Sequence, residues 1–325
     1  EPSLLLKLVG MNTYDTIFGF GRVQLRLHIG DRRGSILLGV RCWPLLYGGR
    51  SGAFEHVRGV HRGHVQLLAG RLGVPLDIHV HDYAAFCPRI SLVGAHGRYC
   101  GEPTDLAACD ACVAKAGSNL TEPIAAAALQ ARSAADLAAA RRVIVPSADT
   151  ATRMRRHFPG LPAVVQPLED DAAYPPAPGF AGAPRHIGII GGIGQEKGYD
   201  VLLECARDAV AHNLNLRFTV FGHTSNDDPL LETGRVFITG PYVESEALAL
   251  IRTHDVQLAW QPSIWPETWC FTLGLAWRAG LHVAAFDIGA PAERIRRTGR
   301  GWLMPLGLPA GAINTLFLGL RWQGG

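Results

Sequence analysis

The chain has 325 residues, 48% of them apolar and 18% charged, with a formal net charge of +3. That length suggests roughly two domains, and the apolar share is ample for large buried cores. So small a charge, with no dense Lys/Arg tract interleaved with aromatics, argues against a nucleic-acid binder.

No apolar run is long enough to span a membrane, and no signal-peptide pattern stands at the start. The opening residue is Glu1 rather than Met, as in a fragment or trimmed chain. Seven cysteines, an odd number, favour a reducing compartment with thiols or a metal site over a disulfide framework. A cytoplasmic location follows, and Asn119-Leu-Thr121 is discounted as a glycosylation acceptor. The clusters Arg153-Met-Arg-Arg156 and Arg294-Ile-Arg-Arg297 read first as solvated helix faces. Their second reading is contact with an anionic lipid or a diphosphate acceptor, peripherally on the inner membrane face.

In chain order, 3–9 suits a first strand, and the Gly- and Arg-rich segment 11–55 shows no ordered pattern. A helix is expected over 61–72 and a strand over 76–80, running into His81-Asp-Tyr83. Residues 84–120 form an irregular, Cys-containing insert. An Ala-rich helix over 123–140, a strand over 142–145 and a helix over 148–157 follow. The Pro-, Ala- and Gly-rich stretch 170–184 reads as a linker. It separates an acceptor-side domain, 1–169, from a second domain, 185–325.

The second domain alternates cleanly. A strand over 186–190 is broken by Gly191-Gly-Ile-Gly194. The helix 199–212 places Val201, Leu202, Cys205, Ala206 and Ala209 on one face. Strands 216–221 and 236–239 end at Gly222 and Gly240. A helix over 244–253, a strand over 256–260, an apolar helix stopping at Gly280 and a strand over 281–286 complete the pattern. Such alternation predicts a parallel sheet with helices on both faces. Ligands of such sheets lie beyond the carboxyl ends of the strands, where Gly191, Gly192, Gly194, Gly222 and Gly240 all fall.

The stretch from Gln261 to Gly280 places one acid, Glu267, in a Pro-broken loop ahead of an apolar helix. A carboxylate can bond sugar hydroxyls, and unpaired helix-start amides can bond phosphate oxygens. A carboxylate capping its own helix is the plainer alternative. In Gly191-Gly-Ile-Gly-Gln-Glu-Lys-Gly198, the glycines let amides approach a phosphate and Lys197 would neutralise it. The spacing is neither that of the dinucleotide fingerprint nor that of a P-loop, and a tight strand-to-helix turn would also explain it. Asp227-Asp228 stands before Pro229 as turn chemistry, and no DxD-type acid pair lies near the glycine loops. Cys87, Cys100, Cys109 and Cys112, spaced C-x12-C-x8-C-x2-C, would close a tetrahedral structural zinc site stapling the insert. Free buried thiols or a disulfide pair are the alternatives.

Taken together, the order of these features resembles the donor-binding half of GT-B glycosyltransferases of the large retaining family four. These features are the strand, the Gly loop with Lys197-Gly198, Phe221-Gly222, Thr239-Gly240, Pro262-Ser263, Glu267, Ala279-Gly280 and 286–293. The resemblance covers about 187–308, reaches back less firmly over 74–158, and hardly touches residues before 55. It implies an α/β GT-B fold, two Rossmann-like domains with parallel sheets facing a central cleft. It implies a metal-independent hexosyltransferase with no catalytic cofactor. The donor would be a UDP- or GDP-type sugar and the acceptor a hydroxyl, lipid-linked or polysaccharide. Lys197 would contact the diphosphate and Glu267 the sugar hydroxyls. The backbone at Cys270, Phe271 and Thr272 would hold sugar and phosphate, and the loop at Gly240–Tyr242 would lie near the base. His81, rather than His79, would face the reacting sugar; a capped loop histidine beside Asp82 is the alternative. Two positions depart from the family pattern. Leu275 stands where a second acid is usual, and Gly191 where an Arg is common, with Arg185 or Arg294 as candidate substitutes. A degenerate module that binds sugar nucleotide or a partner without turnover is the competing expectation. A nicotinamide enzyme is disfavoured by the missing GxGxxG, and an epimerase on the same fold is the remaining reading.

Overall fold

A computed structural model describes residues 4–9, 24–29, 35–39, 76–120, 123–178 and 182–321. The helix expected over 61–72 lies outside these residues. The chain divides into two compact units, Glu1–Ala95 with Cys100–Pro167, and His96–Tyr99 with Leu168–Gly325.

The first unit is built on a six-stranded sheet: β1 (Leu4–Val9), β2 (Gln24–Ile29), β3 (Ser35–Gly39), β4 (Leu76–His79), β5 (Arg142–Val145) and β6 (Ala163–Val165). Their spatial order is β3-β2-β1-β4-β5-β6. From β1 through β4 and β5 to β6 the pairing is parallel. At the other edge of this sheet β1–β2 and β2–β3 pair antiparallel. Residues 30–34 are too short a connection for a parallel crossover, which needs a dozen residues or more. Asp77 on β4 is fully buried and held by two cations: Arg141 Nη2 and Arg142 Nη2 each reach its Oδ2, at 2.8 and 2.5 Å. Burial works against the charged carboxylate, but the two guanidinium groups outweigh it and lower the pKa to about 2.

The insert is more regular than its sequence suggests. Helix α1 (Leu106–Ala116) is capped by Asp105, whose side chain accepts from the Ala107 amide. None of its residues is buried, which is why no apolar stripe announced it. The insert is tied at its neck instead. Arg89 donates to the carbonyls of Val93 (2.7 Å) and Ala116 (2.6 Å), and the Asn119 amide donates to Pro88 (2.9 Å). Two more helices, α2 (Ala126–Ala138) and α3 (Ala148–His157), follow. Ser147 caps α3 through the Thr150 amide.

The second unit carries β7 (His186–Ile190), β8 (Arg217–Phe221), β9 (Val236–Ile238), β10 (Leu258–Gln261), β11 (Val283–Phe286) and β12 (Gly301–Met304). Every neighbouring pair is parallel, in the order β12-β11-β10-β7-β8-β9. Read from β9, this is the 3-2-1-4-5-6 order of the doubly wound dinucleotide-binding fold. The winding reverses between β7 and β10, and ligands of such sheets bind at the carboxyl ends of those two strands. The strands are buried throughout along β7, β10 and β11, as expected with helices on both faces. Helix α4 (Tyr199–Ala211) turns Leu202, Cys205, Ala206 and Ala209 into the core; of the five residues expected on that face, Val201 is only partly buried.

The start of the expected linker is not a free connection. A short 3-10 turn, Asp171–Ala173, places Asp171 in the interior, where Arg294 and Arg297 bond its carboxylate. The Pro/Ala/Gly composition hides this, because one buried acid carries the attachment.

Candidate active site

From the carboxyl end of β7 the chain runs through the glycine loop and enters α4 at Tyr199. The loop closes on itself: the Lys197 amide donates to Gly194 (3.1 Å) and the Tyr199 amide to Gly194 (3.0 Å). It is also laced to the loop after β8, with Ile193 donating to His223 (2.8 Å) and Ser225 to Ile193 (3.0 Å). The Gly191 amide bonds the Phe221 carbonyl at 2.8 Å. At Gly191, Ile193 and Lys197, then, the amides are engaged within the fold, and the loop is less of an open anion cradle than its sequence implied. Gly198 has φ +84°, and a Cβ there would lie 2.1 Å from the Pro262 carbonyl oxygen. At Gly222, φ +137°, it would lie 2.2 Å from the Gly191 oxygen. These two close approaches draw the loops after β7, β8 and β10 together.

From the end of β10, Gln261 and Ser263 lead to Glu267, all three buried. The Glu267 carboxylate forms an ion pair with Lys197, itself only 8% exposed. Gln261 Nε2 donates to Glu267 Oε1 at 2.9 Å. Burial pushes the Glu267 pKa up, but Lys197 and hydrogen bonds with Ser263 and Gln261 outweigh it, so the carboxyl lies below its ordinary range. At neutral pH it is a buried, ionised acceptor beside a cation, at the switch point of the sheet.

Helix α7 (Phe271–Arg278) starts three residues after Thr268. No side chain caps it, and its N-cap residue, Cys270, takes a left-handed backbone with φ +83°. Such a conformation is rare for a residue with a Cβ. Cys270 is buried, and its thiol is pushed up to about 11, first by burial and then by the Glu267 charge. Cys270 Sγ meets Thr272 Oγ1 at 3.3 Å, and Thr272 Oγ1 donates to Gln261 Oε1 at 3.4 Å. Gly191 packs against Thr272, whose Cγ2 would lie 3.3 Å from a Cβ built there.

The fold thus gathers Lys197, Glu267, Cys270, Thr272, Gly191 and Gly222 into one region of the second unit. Phe271 stands at the same helix start and is exposed. Gly192 and Gly194 belong to the laced loop. Tyr242 sits between β9 and α6 (Glu244–Arg252) and packs on the cluster containing Phe221, Cys270 and Leu273. Gln261 was not singled out from the sequence, and Ser263 only as part of the Pro262-Ser263 feature, with no role assigned. The available signal was a polar residue closing a wholly buried strand.

Of the two candidate substitutes for the missing cation, Arg185 stands at the far end of its strand and Arg294 is engaged by its side chain elsewhere. The Arg185 amide bonds Gln257 Oε1 (2.7 Å) at the amino end of β7, the opposite end of the strand from Lys197. Arg294 is buried in contacts with Asp171, Glu169 and the Cys270 carbonyl. Leu275 is buried in an apolar cluster with Ala247, Ile251 and Trp277.

His81 belongs to the first unit, just beyond β4, half-buried and with its ring stacked on His79 at 6.2 Å. Burial lowers its pKa, against the pull of the Asp82 charge. Asp82 accepts from the Ala84 amide at 2.9 Å, the local cap chemistry. Cys87, Cys100, Cys109 and Cys112 are free thiols. Among the described residues no group of three or more His, Cys, Asp or Glu is gathered to hold a metal ion. Burial first, and then the charge of neighbouring cysteines of the same set, raises the pKa of Cys87, Cys100 and Cys109. The four cysteines thus share one neighbourhood without a closed ligand set, and the neck bonds of Arg89 and Asn119 help to tie the insert. No helix among the described residues is long and apolar enough to cross a membrane.

Two α/β units, the second doubly wound with an acid and a lysine paired at its switch point, define a GT-B fold. Residues 184–316, essentially the second unit, match the family model described as Glycosyl transferases group 1. TarM is similar in structure at a TM-score of 0.52 and 16% identity, over 76% of this chain and 43% of TarM. A mutant of S. aureus TarM in complex with Fondaparinux, alpha-GlcNAc-glycerol and UDP gives the same score and identity. HepE of Anabaena, in complex with UDP and glucose, is similar at a TM-score of 0.50 and 15% identity, over 79% of this chain and 64% of HepE. The chain thus spans less than half the length of TarM and under two thirds of HepE. No curated protein matches the sequence.

Proposed function

We propose that this chain is a retaining glycosyltransferase that moves a hexose from a nucleotide-diphosphate sugar to a hydroxyl acceptor in cell-surface polysaccharide or glycolipid synthesis. The observation that carries the reading is the Lys197–Glu267 pair, contributed by the loops after β7 and β10. The match of 184–316 to a glycosyltransferase family model supports it, as do the UDP complexes of TarM and HepE.

In this reading Glu267, kept ionised, accepts hydrogen bonds from the hydroxyls of the donor sugar. Lys197 turns its ammonium to the diphosphate, whose charge grows as the glycosidic bond breaks. The amides of Phe271 and Thr272, at the uncapped start of α7, add donors to the same oxygens. Stabilising that developing charge in a desolvated pocket is the main catalytic contribution, and it requires no divalent metal. His81 is the acceptor-side residue, and UDP- or GDP-sugars are the donor class. The enzyme works in the cytoplasm against a lipid-linked or polysaccharide acceptor, with peripheral membrane contact and no nucleic-acid partner.

The test is transfer by the unaltered chain and by Glu267→Ala across UDP-, GDP-, ADP- and TDP-sugars. Loss of at least about a hundredfold in kcat/KM for Glu267→Ala is expected; transfer at full rate would remove Glu267 from the site. The second reading, a module that binds sugar nucleotide without turnover, is favoured by Leu275, which is buried where the family usually has an acid. Binding without transfer or donor hydrolysis across the panel would select it.

A further inference from the structure

We infer that Arg294 is a positioning residue that aims the Phe271 amide, by locking the Cys270–Phe271 peptide from behind. The inference rests on the donor-site reading above for the purpose of that amide, but the locking itself stands on the geometry.

Arg294 is 1% exposed and lies on α8 (Gly289–Thr298). One arm of its guanidinium, Nη1, donates to the Cys270 carbonyl at 2.6 Å. The other donors are held in place by two acids. Nη2 reaches Asp171 Oδ1 at 2.6 Å and Glu169 Oε2 at 3.1 Å, while Nε reaches Asp171 Oδ2 at 3.1 Å. The planar group lies 4.0 Å from the Trp269 ring centroid and 5.3 Å from that of Trp277. Glu169 is fixed in turn by Trp269 Nε1 (3.0 Å) and the Tyr174 hydroxyl (2.7 Å). Such a fork leaves the guanidinium one orientation, which an ammonium on a flexible stem would not keep.

Cys270 needs that restraint. Its left-handed backbone persists only where the surroundings over-determine it. In a planar trans peptide the C=O and N–H point in opposite directions. Fixing the Cys270 carbonyl on Arg294 therefore fixes the Phe271 N–H to point away from the buried cluster, at the helix start where Phe271 is exposed. A charge cluster this deeply buried is a poor source of net stability; setting the direction of one peptide is a role a hydrophobic replacement would not fill.

The experiment compares Arg294→Lys with Arg297→Ala, following the Phe271 amide by NMR hydrogen exchange and UDP affinity by calorimetry. Arg297 also bonds Asp171 but is half-exposed, and the Cys270 carbonyl is bonded by Arg294, so Arg297 controls for loosening of the network. In Arg294→Lys, Phe271 exchange should rise, and UDP affinity fall, about tenfold, the loss of one charge-assisted hydrogen bond. Arg297→Ala should change neither by more than about twofold. Should Arg294→Lys fail to fold, Glu169→Gln, which loosens the fork at its less buried anchor, is expected to raise Phe271 exchange in the same direction. Unchanged Phe271 exchange in the folded variant, or an equal rise in Arg297→Ala, overturns the inference. If the unaltered chain fails to bind UDP while the Phe271 amide still responds, the donor-site reading falls and the orienting role stands.

Discussion

Removing one member of the Lys197–Glu267 pair leaves the other buried and uncompensated. Lys197→Ala is therefore expected to destabilise the protein by about 3–5 kcal/mol, more than Glu267→Gln, which keeps the shape and removes the charge. Denaturant melts of both variants check the order. The depressed Glu267 pKa sets the sign of the pH effect. Its contribution is fully present above the unfolded carboxyl value, and is lost as pH falls through the folded one. Lys197 and Glu267 were legible in the sequence because loops after strands in an alternating chain place side chains at one edge of the sheet. Gln261 was not, and Ser263 was noted without a role, because a buried polar residue has no local signature until its partner is known. Leu275 shows the converse: the sequence reveals the departure, and its burial beside Trp277 shows that it packs the core.

Among the elements, β4 carries an acid with two cationic partners. The sign for Asp77 runs as for Glu267: its stabilisation is present above the unfolded pKa near 3.9 and lost as pH falls through about 2. Asp77→Asn should cost about 2 kcal/mol at pH 7 and nearly nothing below pH about 2; urea titrations at both values test this. The loop leaving β7 makes a second demand. Gly198→Ala meets both a left-handed backbone and the Pro262 carbonyl, and a loss of at least about 2 kcal/mol is expected by thermal melting. In the insert, Arg89→Ala should speed proteolysis between 88 and 118 while the remainder stays folded, since α1 has no buried face of its own. One equivalent of zinc in the purified protein, by elemental analysis, would show that Cys87, Cys100, Cys109 and Cys112 share that task. The strands and helices of the second unit from β7 through β11 were readable from periodicity to within a few residues, whereas β12 and the helix Ala310–Gly319 were not read. Helix α1 and the antiparallel edge strands β2 and β3 were not: the former lacks an apolar stripe, and the latter lie in a segment whose Gly and Arg content obscures alternation.

At the scale of the whole molecule, length and the compositional break near 170–184 pointed to two units, and strict alternation to a parallel second sheet flanked by helices; its strand order appears only in the structure. A nucleoside diphosphate that binds only the folded chain must raise its melting temperature. UDP at a hundred times its Kd should add about 2.7 kcal/mol, and a flat thermal-shift response to UDP-, GDP-, ADP- and TDP-sugars would argue against the donor site.

Asp171 meets Arg294 across 123 positions of sequence. At typical rates of synthesis, about 5–20 residues per second, the acid waits about 6–25 s for its partner to be made. Until then the carboxylate stays hydrated and the turn it anchors has no reason to enter the interior. Closure of that contact is therefore a late event in the maturation of the second unit, and a nascent chain halted before α8 should expose the 169–174 segment to protease that the finished molecule excludes.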